Sequence, residues 1–189
     1  MNKKLLLAFA ALNVLAAQAL ADDAKLLDEA HAIPARMVPK LLEVLGTEIA
    51  KGGQASAIPV CRDKAPQMAK ALSEQTGWSI RRVSLKNRNP KAVPDPWERS
   101  ALEEFDRRAA AGEDPAQIEK FEIVSAEGKQ TARYMKALPT QELCLSCHGS
   151  AEAISPEVRE KLKESYPDDK ATGYRARQIR GAITAKKSL

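Results

Sequence analysis

Cys144-Leu145-Ser146-Cys147-His148 forms a C-x-x-C-H run, the spacing through which a c-type haem is attached. Two thiols at this separation can add to the two vinyl groups of one porphyrin, and the adjacent imidazole of His148 then lies under the metal as its proximal ligand. One short segment would tether and ligate a single covalently bound haem c. Chance is a poor explanation in a chain with only three cysteines and two histidines. Two chemical alternatives stand beside it: a thioredoxin-like redox pair made by Cys144 and Cys147, and a zinc site supplied by Cys61, Cys144, Cys147 and His148.

The ligand on the other side of the iron controls what such a haem does. Met37, Met68 and Met135 all precede His148, and no thioether follows it, so the sixth ligand must come from upstream, from Cys61, His31 or those methionines, unless the site is open. Cys61 leads the candidates. It is the odd cysteine once a haem consumes two. It also lies in Ile58-Pro59-Val60-Cys61-Arg62-Asp63-Lys64 at an expected helix start, where free backbone N–H groups, Arg62 and Lys64 would lower the thiol pKa. An inert buried cysteine or an interchain disulfide is the plain alternative, and the residues alone leave the choice open. Met68 and Met135 fall in apolar patterns that read as core, and His31, among Ala30, Ala32 and Ile33, reads as structural. Arg81, Arg82, Lys86 and Arg88 are candidates to meet the haem propionates, Arg82 and Arg88 foremost, with a solvated basic edge as the competing reading. Alternation along a strand sends Arg81 and Arg82 to opposite faces, so at most one of them can point at the haem.

The N-terminus suggests the compartment. Lys3 and Lys4 precede an apolar run from Leu5 to Ala17, and Ala19-Leu20-Ala21 offers the small residues of a cleavage site, so residues 1–21 read as a signal peptide and 22–189 as one exported, periplasmic domain. The apolar run is too short to span a bilayer and no cysteine follows the cleavage site, so no stable membrane anchor is expected. The formal charge is +5, two units of which are Lys3 and Lys4; basic and acidic residues interleave, and a nucleic-acid role is unsupported.

The remaining sequence must supply elements that hold these residues. Leu26, Ala30, Ile33, Met37, Leu41, Leu45 and Ile49 make a helical stripe closed by Gly52-Gly53, which Pro34 and Pro39 should kink or divide. A helix over 64–74, a strand over 78–85 and a Pro- and Asn-rich loop over 87–96 follow. Asp95-Pro96-Trp97-Glu98 starts a helix to about Ala111 with an N-cap, a first-turn proline and a glutamate at N3. Strands over 120–124 and 131–138 form a hairpin around Glu127-Gly128, and Thr140 should cap the short helix carrying the motif. A helix from Ser155 and a last strand around 181–186 complete an α+β pattern, helices packed on a small antiparallel sheet. The stripe of the first helix suits packing on its own domain or on a second copy, so both monomer and homodimer are compatible.

Several segments together resemble a family of exported single-haem c-type proteins, first catalogued as a domain of unknown function, whose members occur alone and as input domains of bacterial signalling proteins. They are Val60-Cys61-Arg62 with Ala65-Pro66; Arg82 to Pro90 with Pro94-Asp95-Pro96-Trp97-Glu98; Cys144 to Gly149; and Tyr166 to Tyr174 with Arg180-Gly181-Ala182-Ile183. The resemblance implies a PAS-like fold, haem held through Cys144 and Cys147, His148 as proximal ligand and a cysteine sixth ligand matching Cys61. The chain departs from the family at Ala176-Arg177-Gln178, where relatives commonly carry a glycine and an acidic residue. With imidazole and thiolate both bound, a low-potential haem for electron transfer or redox sensing with an unidentified partner protein is expected. A CO or NO sensor is the alternative, and a haem-thiolate enzyme is third, since nothing around the motif supplies catalytic acid–base groups.

Overall fold

A computed structural model describes residues 3–189, with side chains from residue 21 onward. The signal peptide expected over residues 1–21 therefore falls almost wholly outside the described side chains. Among the described residues no helix is long and apolar enough to cross a membrane.

Four strands form one antiparallel sheet in the order β1-β4-β3-β2: β1 Ser79–Val83, β2 Glu119–Ala126, β3 Lys129–Pro139 and β4 Ile179–Ser188. The helices are α1 Lys3–Ser56, α2 Ala65–Thr76, α3 Pro96–Ala110, α4 Glu142–His148 and α5 Pro156–Ser165, with a π-helical turn Val60–Lys64 before α2. The architecture is thus the expected α+β. The last strand to be made pairs with the first, Arg82 opposite Ile183, which brings the two halves of the chain together.

Strand alternation divides the core between two faces. On one, Ala30, Ile33 and Met37 of α1 and Ala69 and Leu72 of α2 pack on Trp78, Ile80, Tyr134, Ile183 and Ala185. On the other, Ala101, Leu102 and Phe105 of α3 pack on Val83, Met135, Ala137 and Ala182. Arg81 lies on the second face, where it pairs with the fully buried Glu98 of α3. Arg82 is thereby sent to the opposite face, as alternation requires.

The α3 start is the capping box read from the sequence: Asp95 accepts from the Glu98 N–H at 2.9 Å while Glu98 accepts from the Asp95 N–H at 2.8 Å. Asp95 also accepts from Arg133 and Lys186, each at 2.6 Å. Burial pushes the Asp95 carboxyl up, but the hydrogen bonds from Lys186, the Glu98 N–H and Arg133 outweigh it and hold the pKa at about 2, below the ordinary 3.8. A folded-state pKa below the unfolded one adds stability that is present above pH 4 and lost as pH falls toward 2. Asp95→Asn is expected to lower stability by about 2 kcal/mol at pH 7 and by much less near pH 2, measured by urea unfolding at both.

Pro34 and Pro39 do not divide α1. Its non-helical dihedrals are confined to Gly52 (φ −143°, ψ 15°) and Gly53 (φ 79°, ψ −178°). Each proline removes one hydrogen bond, whereas burial of Ala30, Ile33 and Met37 fastens that length of helix to the sheet. The break at the glycines redirects the chain so that Ala55 and Ile58 pack on Ile154, Val158, Leu162 and Tyr166, and the π-helical turn follows immediately. Gly53 lies in a backbone region open essentially to glycine alone. Gly53→Ala is expected to cost about 1–3 kcal/mol, read as a lower urea midpoint with an unchanged slope.

Candidate metal centre

The motif sits on α4, entered directly from β3. Thr140, expected as its cap, is not: Gln141 occupies that place without a side-chain hydrogen bond, and the Thr140 hydroxyl is buried without a partner. The Thr140 backbone is used instead, its N–H donating to Gln178 O at 2.8 Å and its carbonyl accepting from Arg177 N–H at 2.7 Å. A backbone tie to the segment before β4 thus outcompetes a local cap. Arg177, within the Ala176-Arg177-Gln178 stretch, adopts φ 69°, a left-handed conformation. At the other end, Gly149 donates to Leu145 O at 2.8 Å, and a Cβ at 149 would lie 2.6 Å from that oxygen, so the helix can close in this way only with glycine. The N–H of Tyr174 then donates to His148 O at 2.9 Å.

His148 is half-buried, with Nδ1 2.7 Å from the carbonyl oxygen of Ala171. A ring proton on Nδ1 donated to this carbonyl leaves the Nε2 lone pair free, the arrangement that orients an imidazole for a metal. Burial, then the positive charges of Arg180 and Arg88, push the His148 pKa down to about 2 against the pull of the carbonyl, so the ring is neutral at physiological pH.

Cys61 lies on the π-helical turn beside the fully buried Val60. Its side chain is exposed to solvent. The thiol does not behave as the sequence suggested. Burial pushes it up, and the cations that pull it down are Arg82, Arg88 and Arg180, not Arg62 and Lys64; Arg62 turns instead to Asp63 at 3.0 Å. Cys61 and Cys144 each act electrostatically on Cys147, which packs at the edge of the Ile58–Tyr166 cluster. The fold therefore gathers the three cysteines and His148 in one region.

Arg82 and Arg88, paired in the sequence reading, do different things. Arg88 is buried and committed: Nε donates to Asp169 at 2.9 Å, and Nη2 to the carbonyl of Cys147 at 2.6 Å and of Ala171 at 3.4 Å. It pins the end of the motif to the strand-entry loop. Arg82 has a buried Nε with no hydrogen-bond partner, and its nearest electrostatic neighbours include Cys61 and Cys144. A buried guanidinium nitrogen left without a partner suits an anion.

The other ligand candidates lie elsewhere. Met135 is fully buried on the α3 face and Met37 under α1; Met68 is half-buried on α2. His31 contacts Glu119 at 2.8 Å on β2, at the opposite edge of the sheet from β1 and Arg82. Among the described residues no group of three or more His, Cys, Asp or Glu side chains converges to hold a metal ion, so Cys61, Cys144, Cys147 and His148 do not assemble the zinc alternative.

The residues fit a haem. His148 offers Nε2, Cys144 and Cys147 offer thiols on the same helix, and the unpaired Arg82 Nε suits a carboxylate. Nothing in the spacing marks Ala171, Tyr174 or Arg180 as neighbours of His148; the one visible signal is that Arg180 heads the small and apolar run Gly181-Ala182-Ile183. In comparisons with known proteins, the Tll0287-like family (Tll0287) matches residues 11–188. The crystal structure of the cyanobacterial heme-protein Tll0287 is similar, with 27% sequence identity, a TM-score of 0.54 and coverage of 67% of this chain and 70% of that one. No curated protein matches.

Proposed function

The chain belongs to the Tll0287-like family, and from that premise we propose that it is an exported, periplasmic single-haem c-type cytochrome that passes or reports one electron at low potential. The observation that carries this reading is His148: its Nδ1 faces the Ala171 carbonyl at 2.7 Å, and its Nε2 makes no hydrogen bond among the described residues. Cys144 and Cys147 would form the two thioethers, His148 would be the proximal ligand, Cys61 the sixth ligand, and Arg82 would meet a propionate. The relationship to a haem protein of the same fold supports haem as the cofactor.

When bound, the haem supplies a one-electron Fe(III)/Fe(II) couple. With His148 and Cys61 both as ligands the iron would keep no open position, and an anionic thiolate would stabilise Fe(III), which favours electron transfer or redox sensing over catalysis. The second histidine is committed to Glu119 at the far edge of the sheet and supplies no acid–base partner. The electron partner is a separate protein, and the chain acts as monomer or homodimer.

A second reading, a redox-gated CO or NO sensor, is favoured by one feature: Cys61 sits on a π-helical turn, a local irregularity common at functional sites, and burial disfavours its free thiolate. A ligand so placed is suited to leave on reduction.

The test is the absorption and electron paramagnetic resonance spectrum of the exported holoprotein, with a redox titration and CO added to the ferrous form. A low-spin ferric thiolate signature and a potential below those of methionine-ligated cytochromes are expected. CO binding on reduction would select the sensor reading. A protein exported without covalent haem would overturn both.

A further inference from the structure

Two groups contend for one nitrogen of His148. The Ala171 carbonyl lies 2.7 Å from Nδ1, and Nε–H of Arg180 is directed at the same atom from 3.1 Å. A neutral imidazole carries a single ring proton. With it on Nδ1, the ring donates to Ala171 and Nε2 is open to a metal; with it on Nε2, the ring accepts from Arg180 and the metal position is blocked.

Arg180 is buried and cannot turn away to solvent. Its Nη1 donates to Ser84 Oγ at 2.9 Å and to Lys86 O at 3.2 Å, and its guanidinium carbon stands 5.4 Å from the centroid of the Tyr174 ring. Tyr174 in turn meets the His148 ring edge-on at 6.3 Å. The positive charge is thus fixed against the imidazole from the side opposite to where iron would bind.

We propose that Arg180 is a positioning residue that acts through His148: it opposes the Ala171 carbonyl, draws electron density from the imidazole and raises the reduction potential that a Cys61 thiolate lowers. This rests on the haem reading above. An acceptor on Nδ1–H makes the ring a stronger donor and favours Fe(III), whereas an adjacent cation favours the form with one more electron. Removing the cation acts in the same direction by both routes, toward the oxidised iron.

The test compares redox titrations of the wild-type, Arg180→Gln and Arg180→Lys holoproteins, with the His148 Nδ1–H proton followed by nuclear magnetic resonance in the ferrous form. At fixed mediator potential, Arg180→Gln is expected to shift the oxidised-to-reduced ratio at least tenfold toward oxidised, about 59 mV for one electron. Arg180→Lys, which keeps the charge, is expected to shift it less than threefold. A shift below threefold in Arg180→Gln, or one toward reduced, overturns the proposal. Should Arg180→Gln fail to load haem, Ser84→Ala loosens the same guanidinium and is expected to shift the ratio at least twofold toward oxidised and to move the Nδ1–H resonance; no change in either overturns it. A wild type that takes no haem overturns this proposal and the haem reading together, while a loaded wild type with an inert Arg180 overturns this proposal alone.

Discussion

Cys61→Ser is expected to abolish the low-spin thiolate signature of the ferric protein and to raise its reduction potential by on the order of 100 mV or more, the largest electronic effect of any single substitution here. Serine keeps the size of the side chain while removing the soft, anionic ligand. The thiol is disfavoured as a free anion by burial, so its thiolate character must come from the iron, assisted by Arg82, Arg88 and Arg180. The serine hydroxyl, a far weaker acid, gains no such form. Spectra of the mutant identical to the wild type would make Cys61 structural and return the sixth ligand to open question, since Met37 and Met135 are locked in the core and His31 is bonded to Glu119.

Arg88→Leu is expected to cost about 3–5 kcal/mol of stability, because it strands the carboxylate of Asp169 in a nearly buried position and leaves the Cys147 carbonyl without its donor. The side chains of Arg88 and Asp169 are only 8% and 13% exposed, so solvent screens little of that loss. The same bond joins the end of the haem motif to the loop that carries Ala171. A second consequence follows: the carbonyl facing His148 loses its brace, and covalent haem yield should fall even where the fold survives at low temperature. Urea unfolding of the apoprotein measures the first effect, and haem content per chain after export measures the second. A loss below 1 kcal/mol would show Arg88 to be a surface pair in effect, despite its burial.

Elements whose causes are local were legible in the residues. The Asp95 capping box, the turn at Glu127-Gly128, the Ser155 cap of α5 and the helix break at Gly52-Gly53 each depend on groups within a few positions of one another. The Thr140 cap failed for a non-local reason, since Gln178 and Arg177 from the far end of the chain claim its backbone. The prolines leave α1 undivided for a non-local reason too, because burial against Trp78 and Tyr134 outweighs the hydrogen bond each removes.

The donor set of the motif is readable from residue type and spacing alone. Two thiols and an imidazole at fixed spacing are a covalent fact that no fold can alter, and alternation alone separated Arg81 from Arg82. What surrounds those donors depends on long-range packing. Pairing β1 with β4 and placing β3 beside it sets Cys61, Arg82 and Arg88 from the first half of the chain against Cys144, His148, Asp169 and Arg180 from the second. It also separates Arg82, whose Nε is left without a partner, from Arg88, which holds Asp169 and the Cys147 carbonyl, and sets Arg180 against Ala171 at one ring nitrogen. These outcomes turn on which long-range contacts exclude water. Residue type and spacing do not encode that until the strand order is formed.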